Sequence, residues 1–316
     1  MHPASRSLLG RWTYAAKIAS WPKLLVPMIF GQALGVAAAG AVSWSALGFG
    51  LGLVVCHLLF VVFLNDWGDR RVDRIKRQMF PDDCSPKTIP DQVLSARALL
   101  GAGLVAGVGL IGLAFAAQIV LGRPGLIWTG FGMLALFAAY TLPPLKLNYR
   151  GGGEWIEALG VGVGLPCLGI YLQAGEIWGR ELWMLPGFTL LAGCSALASG
   201  LADEQSDRRG GKRTYASEYG NRATRALIER LVLAGAVLWA ASMRLAHVVP
   251  APIGALAIVI VIVNWRWMRK LSPQATTNAF AEQKLYKHFL HQAQWRSALL
   301  VAVVLVALTL LGWDFW

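Results

Sequence analysis

Apolar residues recur along this chain in long segments that alternate with short polar ones. Nine of these segments approach the roughly 20 apolar residues that a helix needs to cross the hydrocarbon core of a membrane. Helices are predicted for all nine, because lipid offers no hydrogen-bond partners to the backbone and the alternation of barrel strands is not found. The segments are 22–42, 47–66, 97–118, 125–143, 155–174, 183–202, 226–246, 250–267 and 296–313.

The pattern therefore predicts an all-α membrane protein, a single bundle of nine transmembrane helices. Residues 1–20 are expected to form a cytoplasmic N-terminal segment, and residues 21–316 one transmembrane domain. The first apolar segment is interpreted as a retained helix, because basic residues precede it and no small-residue cleavage site with a soluble domain follows it.

Lysine and arginine residues fall almost entirely on one side of the predicted membrane. Of the 29, 26 lie in or near the N-terminal segment and the loops after even-numbered helices, and the others are Arg123, Arg180 and Arg244. Because basic residues concentrate in cytoplasmic loops, the N-terminus is predicted to be cytoplasmic and Trp316 external. The expected location is an inner or plasma membrane.

Composition narrows the class of function. The chain is 56% hydrophobic and 15% charged, whereas soluble domains carry about 25% charged residues. This excludes an ordinary soluble enzyme and a disordered chain, and it predicts a lipid bilayer and no nucleic acid among the partners. The net charge of +12 is interpreted as orienting the chain or attracting anionic groups. The cysteines lack metal-ligand spacing, and Cys84 is interpreted as a loop thiol.

Two acidic motifs stand at the predicted cytoplasmic ends of helices two and six. In each motif the acidic residues are four positions apart, which places them on one stripe of a helix. Like charges at this spacing repel each other, and nearby lipid raises the penalty, so cations are expected between them. The first motif has Asn65, Asp69 and Asp73 with Asp66 at its edge, and the second has Asp203 and Asp207.

The ligands that these motifs offer suit magnesium. Several carboxylates without clustered cysteine or histidine favour a hard cation, and Mg²⁺ usually completes its octahedron with phosphate oxygens and water. Basic residues surround both motifs, namely Arg70, Arg71, Arg74, Arg77, Lys87, Lys212 and Arg213. The sequence thus predicts a diphosphate site at the membrane boundary, with a prenyl diphosphate as substrate. The plainer alternative, a solvated loop balanced by salt bridges, is disfavoured because the arrangement occurs twice.

These residues resemble the motifs of the UbiA superfamily of intramembrane prenyltransferases. Its Asn-x-x-x-Asp-x-x-x-Asp and Asp-x-x-x-Asp patterns match the first and second motifs, and residues 140–146 and 150–154 resemble its segment between helices four and five. The resemblance spans about residues 20 to 313 and implies a nine-helix bundle. One loop departs from the family pattern, since residues 83–91 lack the arginine and glycine of an Arg-Pro-(Ile/Leu)-Pro-x-Gly sequence, with Lys87 as a substitute.

The resemblance implies Mg²⁺-dependent ionisation of a prenyl diphosphate and transfer of the prenyl group to an aromatic or lipophilic acceptor, as in quinone biosynthesis. Asp69, Asp73, Asp203 and Asp207 are implied as catalytic metal ligands. Tyr140 is implied to face the carbocation or the acceptor, and its plainer alternative is an interfacial anchor. The implied substrate-binding residues are Asn65, Asp66, Arg77, Lys87, Lys146, Arg150, Lys212 and Arg213.

Two other functions stay open at this point. A UbiA-type terpene cyclase would use the same ionisation, with capture of the cation by an internal alkene. A transporter is disfavoured, because the charges lie at one face and no inverted repeat is evident. Glu154 is expected as an N-terminal helix charge or as a base for the acceptor, and His288 and His291 as solvated loop residues.

Overall fold

The computed structural model describes residues 6–83 and 85–313, so Cys84 and Trp316 lie outside the described part. That part is helical, with thirteen α-helices joined by turns, short 3₁₀ segments and one π-helical segment, Gly160–Gly164. The α-helices are α1 Leu8–Ala16, α2 Pro22–Ala39, α3 Trp44–Gly68, α4 Arg70–Met79, α5 Ala96–Leu121, α6 Leu126–Thr141, α7 Gly153–Leu159, α8 Leu165–Ala174, α9 Leu185–Ser199, α10 Glu204–Gly210, α11 Tyr215–Ala246, α12 Ala251–Leu271 and α13 Phe280–Leu310.

Most of these helices are long and apolar enough to cross a membrane. Within the described residues, eight helical stretches meet that condition, and α7–α8 and α9–α10 each count as one. The helix α6 is apolar but has 16 residues, which span about 24 Å against a hydrocarbon core of about 30 Å. The predicted all-α, multi-pass membrane fold is confirmed, whereas nine crossings and a cytoplasmic N-terminus stay predictions.

Two helices begin well before the apolar segments that predicted them. The segment expected at residue 226 belongs to α11, which has a break at Gly220, and the one expected at residue 296 belongs to α13. Hydropathy missed these extensions because a helix continues through charged residues as long as one of its faces is buried. The expectation that His291 is a solvated loop residue was wrong, since its Nε2 lies 3.0 Å from Ser195 Oγ.

Close packing of α2 against α8 and α13 forms the centre of the bundle. A Cβ on Gly31 of α2 would overlap the backbone of Pro166 in α8, and a Cβ on Gly169 would lie 2.6 Å from the backbone nitrogen of Gln32. Small residues let transmembrane helices approach in this way. Beside this contact, the Phe30 ring packs at 4.8 Å from that of Phe188.

We expect Gly31→Ala to destabilise the protein by about 1–3 kcal/mol, because α2 and α8 must separate to admit the methyl group. The matched control is Gly48→Ala on α3, where a Cβ meets no atom within 4 Å and alanine improves helix propensity. Thermal unfolding in detergent should show a lower midpoint for Gly31→Ala alone. Equal midpoints for the two variants would contradict the packing argument.

Both acidic motifs lie where a helix is interrupted. Asp69 separates α3 from α4 with φ −92° and ψ 4°, and the 3₁₀ turn Leu201–Asp203 separates α9 from α10. The single helical stripe predicted for Asn65, Asp69 and Asp73 is therefore bent, because α4 leaves the direction of α3. The short helices α4 and α10 pack against each other, which brings the two motifs together.

Candidate active site

A cavity of about 650 Å³ lies in the bundle, beside the contact between α4 and α10. Residues of both acidic motifs line its charged end, and mostly apolar residues from α3, α6 and α7–α8 line its deeper part. The predicted meeting of two acidic clusters in one cavity is thus present. The charged end is formed by Asn65, Asp69, Asp73, Asp203, Asp207, Lys17, Lys23, Lys76, Lys87 and Lys212.

Lysines neutralise three of the four motif aspartates. The ion pairs join Asp69 to Lys212, Asp73 to Lys87 and Asp203 to Lys76. The fourth carboxylate, Asp207, is 3% exposed and forms no ion pair within residues 6–83 and 85–313. Because burying a charge without a partner is costly, a cation bound beside Asp207 would stabilise its ionised form.

Lysines and aspartates at the charged end each favour the charged form of the other. Burial acts to lower the pKa of Lys212, but the carboxylates of Asp69 and Asp207 outweigh it and hold that pKa well above its usual value. Burial raises the pKa of Asp73, and the neighbouring Lys87 opposes the shift. Lys212 therefore stays charged at neutral pH and is placed to bind an anion.

Three polar residues near the motifs were missed by the sequence analysis. Lys76 follows Asp73 by three positions on α4, a spacing that could have indicated it. The Tyr149 hydroxyl donates to Asp69 Oδ1 at 3.0 Å, and Tyr149 lies just outside the stretch 150–154 that the sequence analysis singled out. Lys17 pairs with Asp66, and no pattern in the sequence indicates this contact, because it joins α3 to the segment between α1 and α2.

Several of the predicted substrate-binding residues point elsewhere. Asp66 is 2% exposed and accepts a hydrogen bond from Thr88 Oγ1 at 2.6 Å, so it fixes the loop that carries Lys87. Four cations lie outside the set of described residues that lines the cavity, and their substrate-binding role stays a prediction. Arg77 binds Asp91, Arg150 binds the Pro144 carbonyl, Arg213 binds Glu218, and the Lys146 ammonium lies 3.6 Å from the Tyr149 ring centroid.

Tyr140 and Glu154 differ in their access to the cavity. Tyr140 lines it, at the end of α6. Glu154 is buried and accepts a hydrogen bond from the backbone nitrogen of Tyr215 at 2.6 Å, so its carboxylate holds the start of α11. Glu157, one turn further along α7, lines the cavity and pairs with Lys23.

Tyr149 is expected to act through Asp69. Removing its hydroxyl in Tyr149→Phe deletes one hydrogen bond to a carboxylate, worth about 1.5–3 kcal/mol. We expect the Mg²⁺ concentration for half-maximal activity to rise about tenfold, with a smaller change in kcat. An assay over a Mg²⁺ series checks this, with Tyr219→Phe, an exposed tyrosine on α11, as the control. A fall in kcat at unchanged Mg²⁺ dependence would contradict a positioning role.

The side chains present fit a magnesium ion that arrives with its substrate. Among the described residues, no three His, Cys, Asp or Glu side chains converge as a ready metal site. Mg²⁺ does not require such a cage, since one or two carboxylates with phosphate oxygens and water complete its coordination. The carboxylates that would hold it are Asp69, Asp73, Asp203 and Asp207.

Comparison with known proteins decides the family. The model of the UbiA prenyltransferase family matches residues 24–292. The chain belongs to this family. A 1,4-dihydroxy-2-naphthoate octaprenyltransferase of Mycobacterium leprae is 27% identical over 233 residues, 72% of this chain and 76% of that relative. A chloroplastic chlorophyll synthase of Oryza sativa is 28% identical over 159 residues, 48% of this chain and 39% of that relative.

The fold of this UbiA family member agrees with a solved structure. A UbiA homolog from Archaeoglobus fulgidus, bound to DMAPP and Mg²⁺, superposes with a TM-score of 0.68 over 94% of this chain and 99% of that chain. The two sequences are 15% identical, so the likeness establishes the fold alone. The resemblance stated from the acidic motifs is thus confirmed at the level of family and fold.

Proposed function

We propose that this protein is a Mg²⁺-dependent intramembrane prenyltransferase, which ionises a polyprenyl diphosphate and transfers the prenyl group to an aromatic or lipophilic acceptor. The observation that carries the proposal is the single cavity that joins the two acidic motifs to an apolar interior. The charged end has the groups to bind a diphosphate with its metal, and the apolar part suits a hydrocarbon chain. Membership of the UbiA family supports the reaction type.

The charged end can promote the first step of this reaction. The allylic carbon–oxygen bond of the donor breaks, and its electron pair leaves with the diphosphate. Bound Mg²⁺ would supply charge neutralisation to the leaving group. Lys76, Lys87 and Lys212 line the cavity, and each can donate hydrogen bonds to the diphosphate oxygens as negative charge develops there. Their ion pairs with the aspartates hold these ammonium groups in place before the donor binds.

The aromatic wall next to the charged end can stabilise the carbocation and guide the second step. Phe137 and Tyr140 line the cavity, and their ring centroids are 6.0 Å apart. Aromatic faces attract a cation by their quadrupole. The acceptor forms a bond to the allylic carbon and loses one proton, so the products are the prenylated acceptor, diphosphate and a proton.

Relatives support transfer over cyclisation. The Mycobacterium leprae relative is named as a 1,4-dihydroxy-2-naphthoate octaprenyltransferase, and so for transfer to an aromatic acceptor. We therefore propose an aromatic acceptor of the quinone-biosynthesis type. We also propose that the charged end faces the cytoplasm of an inner or plasma membrane.

Product analysis tests this function. Purified protein with Mg²⁺ and geranylgeranyl diphosphate is incubated alone, with 1,4-dihydroxy-2-naphthoate, or with 4-hydroxybenzoate, and the products are identified by mass spectrometry. Turnover only in the presence of an acceptor is the expected result. Release of a hydrocarbon from the donor alone would instead support a terpene cyclase, and no diphosphate release under any condition would overturn both.

A further inference from the structure

Polar residues from helices that carry neither acidic motif also meet the cavity. Lys23 of α2, Glu157 of α7 and Ser199 of α9 line it, and Lys287 of α13 contacts Ser199. The proposed ionisation of the donor does not use these four residues. Their side chains are therefore available to a second ligand in the same cavity.

Two ammonium groups converge on one hydroxyl oxygen in this group. Lys23 Nζ donates to Ser199 Oγ at 3.0 Å, and Lys287 Nζ donates to the same oxygen at 3.5 Å. The Ser199 hydroxyl in turn donates its proton to the Ser195 carbonyl at 3.0 Å, so its oxygen is left to accept from the lysines. We name Lys23, Ser199 and Lys287 the basic subsite.

Positive charge is in excess at the basic subsite. Lys23 forms an ion pair with Glu157, whereas Lys287 is partly buried and forms no ion pair in the part of the chain that the structure describes. One carboxylate therefore serves two ammonium groups. Because like charges repel and a poorly solvated charge without a partner is costly, an anion beside Ser199 would stabilise the basic subsite.

Lys287 is held in place by the packing of α13. One turn further along this helix, His291 Nε2 lies 3.0 Å from Ser195 Oγ, and the His291 ring stacks on the Trp295 ring at 4.3 Å. The same helix also packs against α2, which carries Lys23. The two lysines of the basic subsite thus approach Ser199 from two helices that are fixed against each other.

The diphosphate of the donor has cations of its own. Lys76, Lys87 and Lys212 pair with the motif aspartates that are proposed to hold Mg²⁺. The acceptor must enter the same cavity, because it has to reach the allylic carbon of the donor. A separate pair of ammonium groups beside this cavity suits an anionic group of the acceptor, and a carboxylate offers two oxygens for charge-assisted hydrogen bonds.

We propose that Lys23 and Lys287 bind the carboxylate of an aromatic acid acceptor and make the enzyme select this acid over neutral phenols. This inference rests on the proposed prenyltransferase function and adds the charge of the acceptor to it. A neutral acceptor would leave Lys287 without a counter-charge. A site built to bind a polar group rejects analogues that lack the group, because its own polar atoms then stay unpaired.

Discrimination between acids and their esters tests this assignment. Purified protein with Mg²⁺ and geranylgeranyl diphosphate receives 1,4-dihydroxy-2-naphthoate, 4-hydroxybenzoate, or the uncharged methyl ester of either acid. The measured quantity is the ratio of kcat/KM for an acid to that for its ester. We expect the wild-type protein to prefer the acid at least tenfold, and Lys23→Met and Lys287→Met to lose this preference.

Variants on α13 provide the controls. Lys284→Met replaces an exposed lysine on the same helix and should keep the wild-type preference for the acid. Lys287→Arg should keep part of it, because the charge stays while the geometry changes. A merely structural role of Lys287 would instead lower turnover of acid and ester equally, and that result would overturn the basic subsite.

Equilibrium binding keeps the test independent of turnover. Isothermal titration of the detergent-solubilised protein with 1,4-dihydroxy-2-naphthoate should give a Kd at least tenfold higher for Lys287→Met than for the wild type, with the KM of the donor unchanged. Equal Kd values, a loss confined to the donor, or diphosphate release by a wild-type protein that does not prefer either acid would overturn the assignment. If the wild-type protein releases no diphosphate under any condition, the proposed function itself fails, which is a distinguishable result.

Discussion

Asp207→Asn is expected to lower diphosphate release from a prenyl donor about 1000-fold while the protein stays folded. Asp207 is buried in the cavity wall beside Asp203 and forms no ion pair among the described residues. Its carboxyl group is thus available to a metal ion. Losing one metal ligand removes several kcal/mol of charge stabilisation from the ionisation step, and each 1.36 kcal/mol changes the rate tenfold.

A phosphate-release assay at saturating Mg²⁺ measures this effect. The matched control is Asp82→Asn, because Asp82 is exposed in the loop after α4 and lies outside the residues that line the cavity. The control should keep wild-type turnover, and both variants should unfold at similar temperatures. Normal turnover in Asp207→Asn would count heavily against the whole assignment of the acidic motifs.

Lys212→Met is expected to lower kcat/KM for the donor about 100-fold. Lys212 Nζ donates to Asp69 Oδ2 at 2.7 Å, and its raised pKa keeps it charged at neutral pH, where it can bind a departing diphosphate. Removing one such donor from a preorganised site costs about 10²–10³ in rate. Lys212→Arg should lose less, because it restores the charge with a different geometry.

Lysine at an exposed position provides the control for this variant. Lys284 is exposed on α13 and is not among the residues that line the cavity, so Lys284→Met should leave donor kinetics unchanged. Initial rates over a donor series separate the two outcomes. A loss in Lys212→Met that appears only in the KM of the acceptor would mean that this lysine serves the second substrate instead.

Ion pairs between lysines and the motif aspartates offset the repulsion that the sequence indicated. Repulsion within the two acidic motifs predicted that cations lie between them, and Lys212 and Lys87 do bind Asp69 and Asp73. The sequence assigned the neighbouring arginines to the same task. Arg77 and Arg213 bind other carboxylates instead, because side-chain direction depends on the helix breaks, which spacing alone does not reveal.

Interruptions of the helices account for the other differences between the sequence predictions and the structure. The four-residue spacing of Asn65, Asp69 and Asp73 predicts one stripe on a continuous helix, but the chain bends at Asp69. The helix breaks beside a close approach to a residue far away in sequence, since a Cβ added at Gly68 would lie 3.1 Å from the Thr141 carbonyl oxygen. The spacing of neighbouring residues in the sequence does not reveal that contact.

Hydropathy, charge spacing and family motifs determined from the sequence alone that this is a helical membrane protein with two acidic clusters suited to a diphosphate and its metal. Those features are local, since they depend on runs of residues and on the geometry of a single helix. The meeting of α4 and α10 and the pairing of Lys17 and Lys76 with distant aspartates were decided only by the tertiary structure. They depend on how close separate helices come, and that distance is set by packing contacts between residues that are remote along the chain.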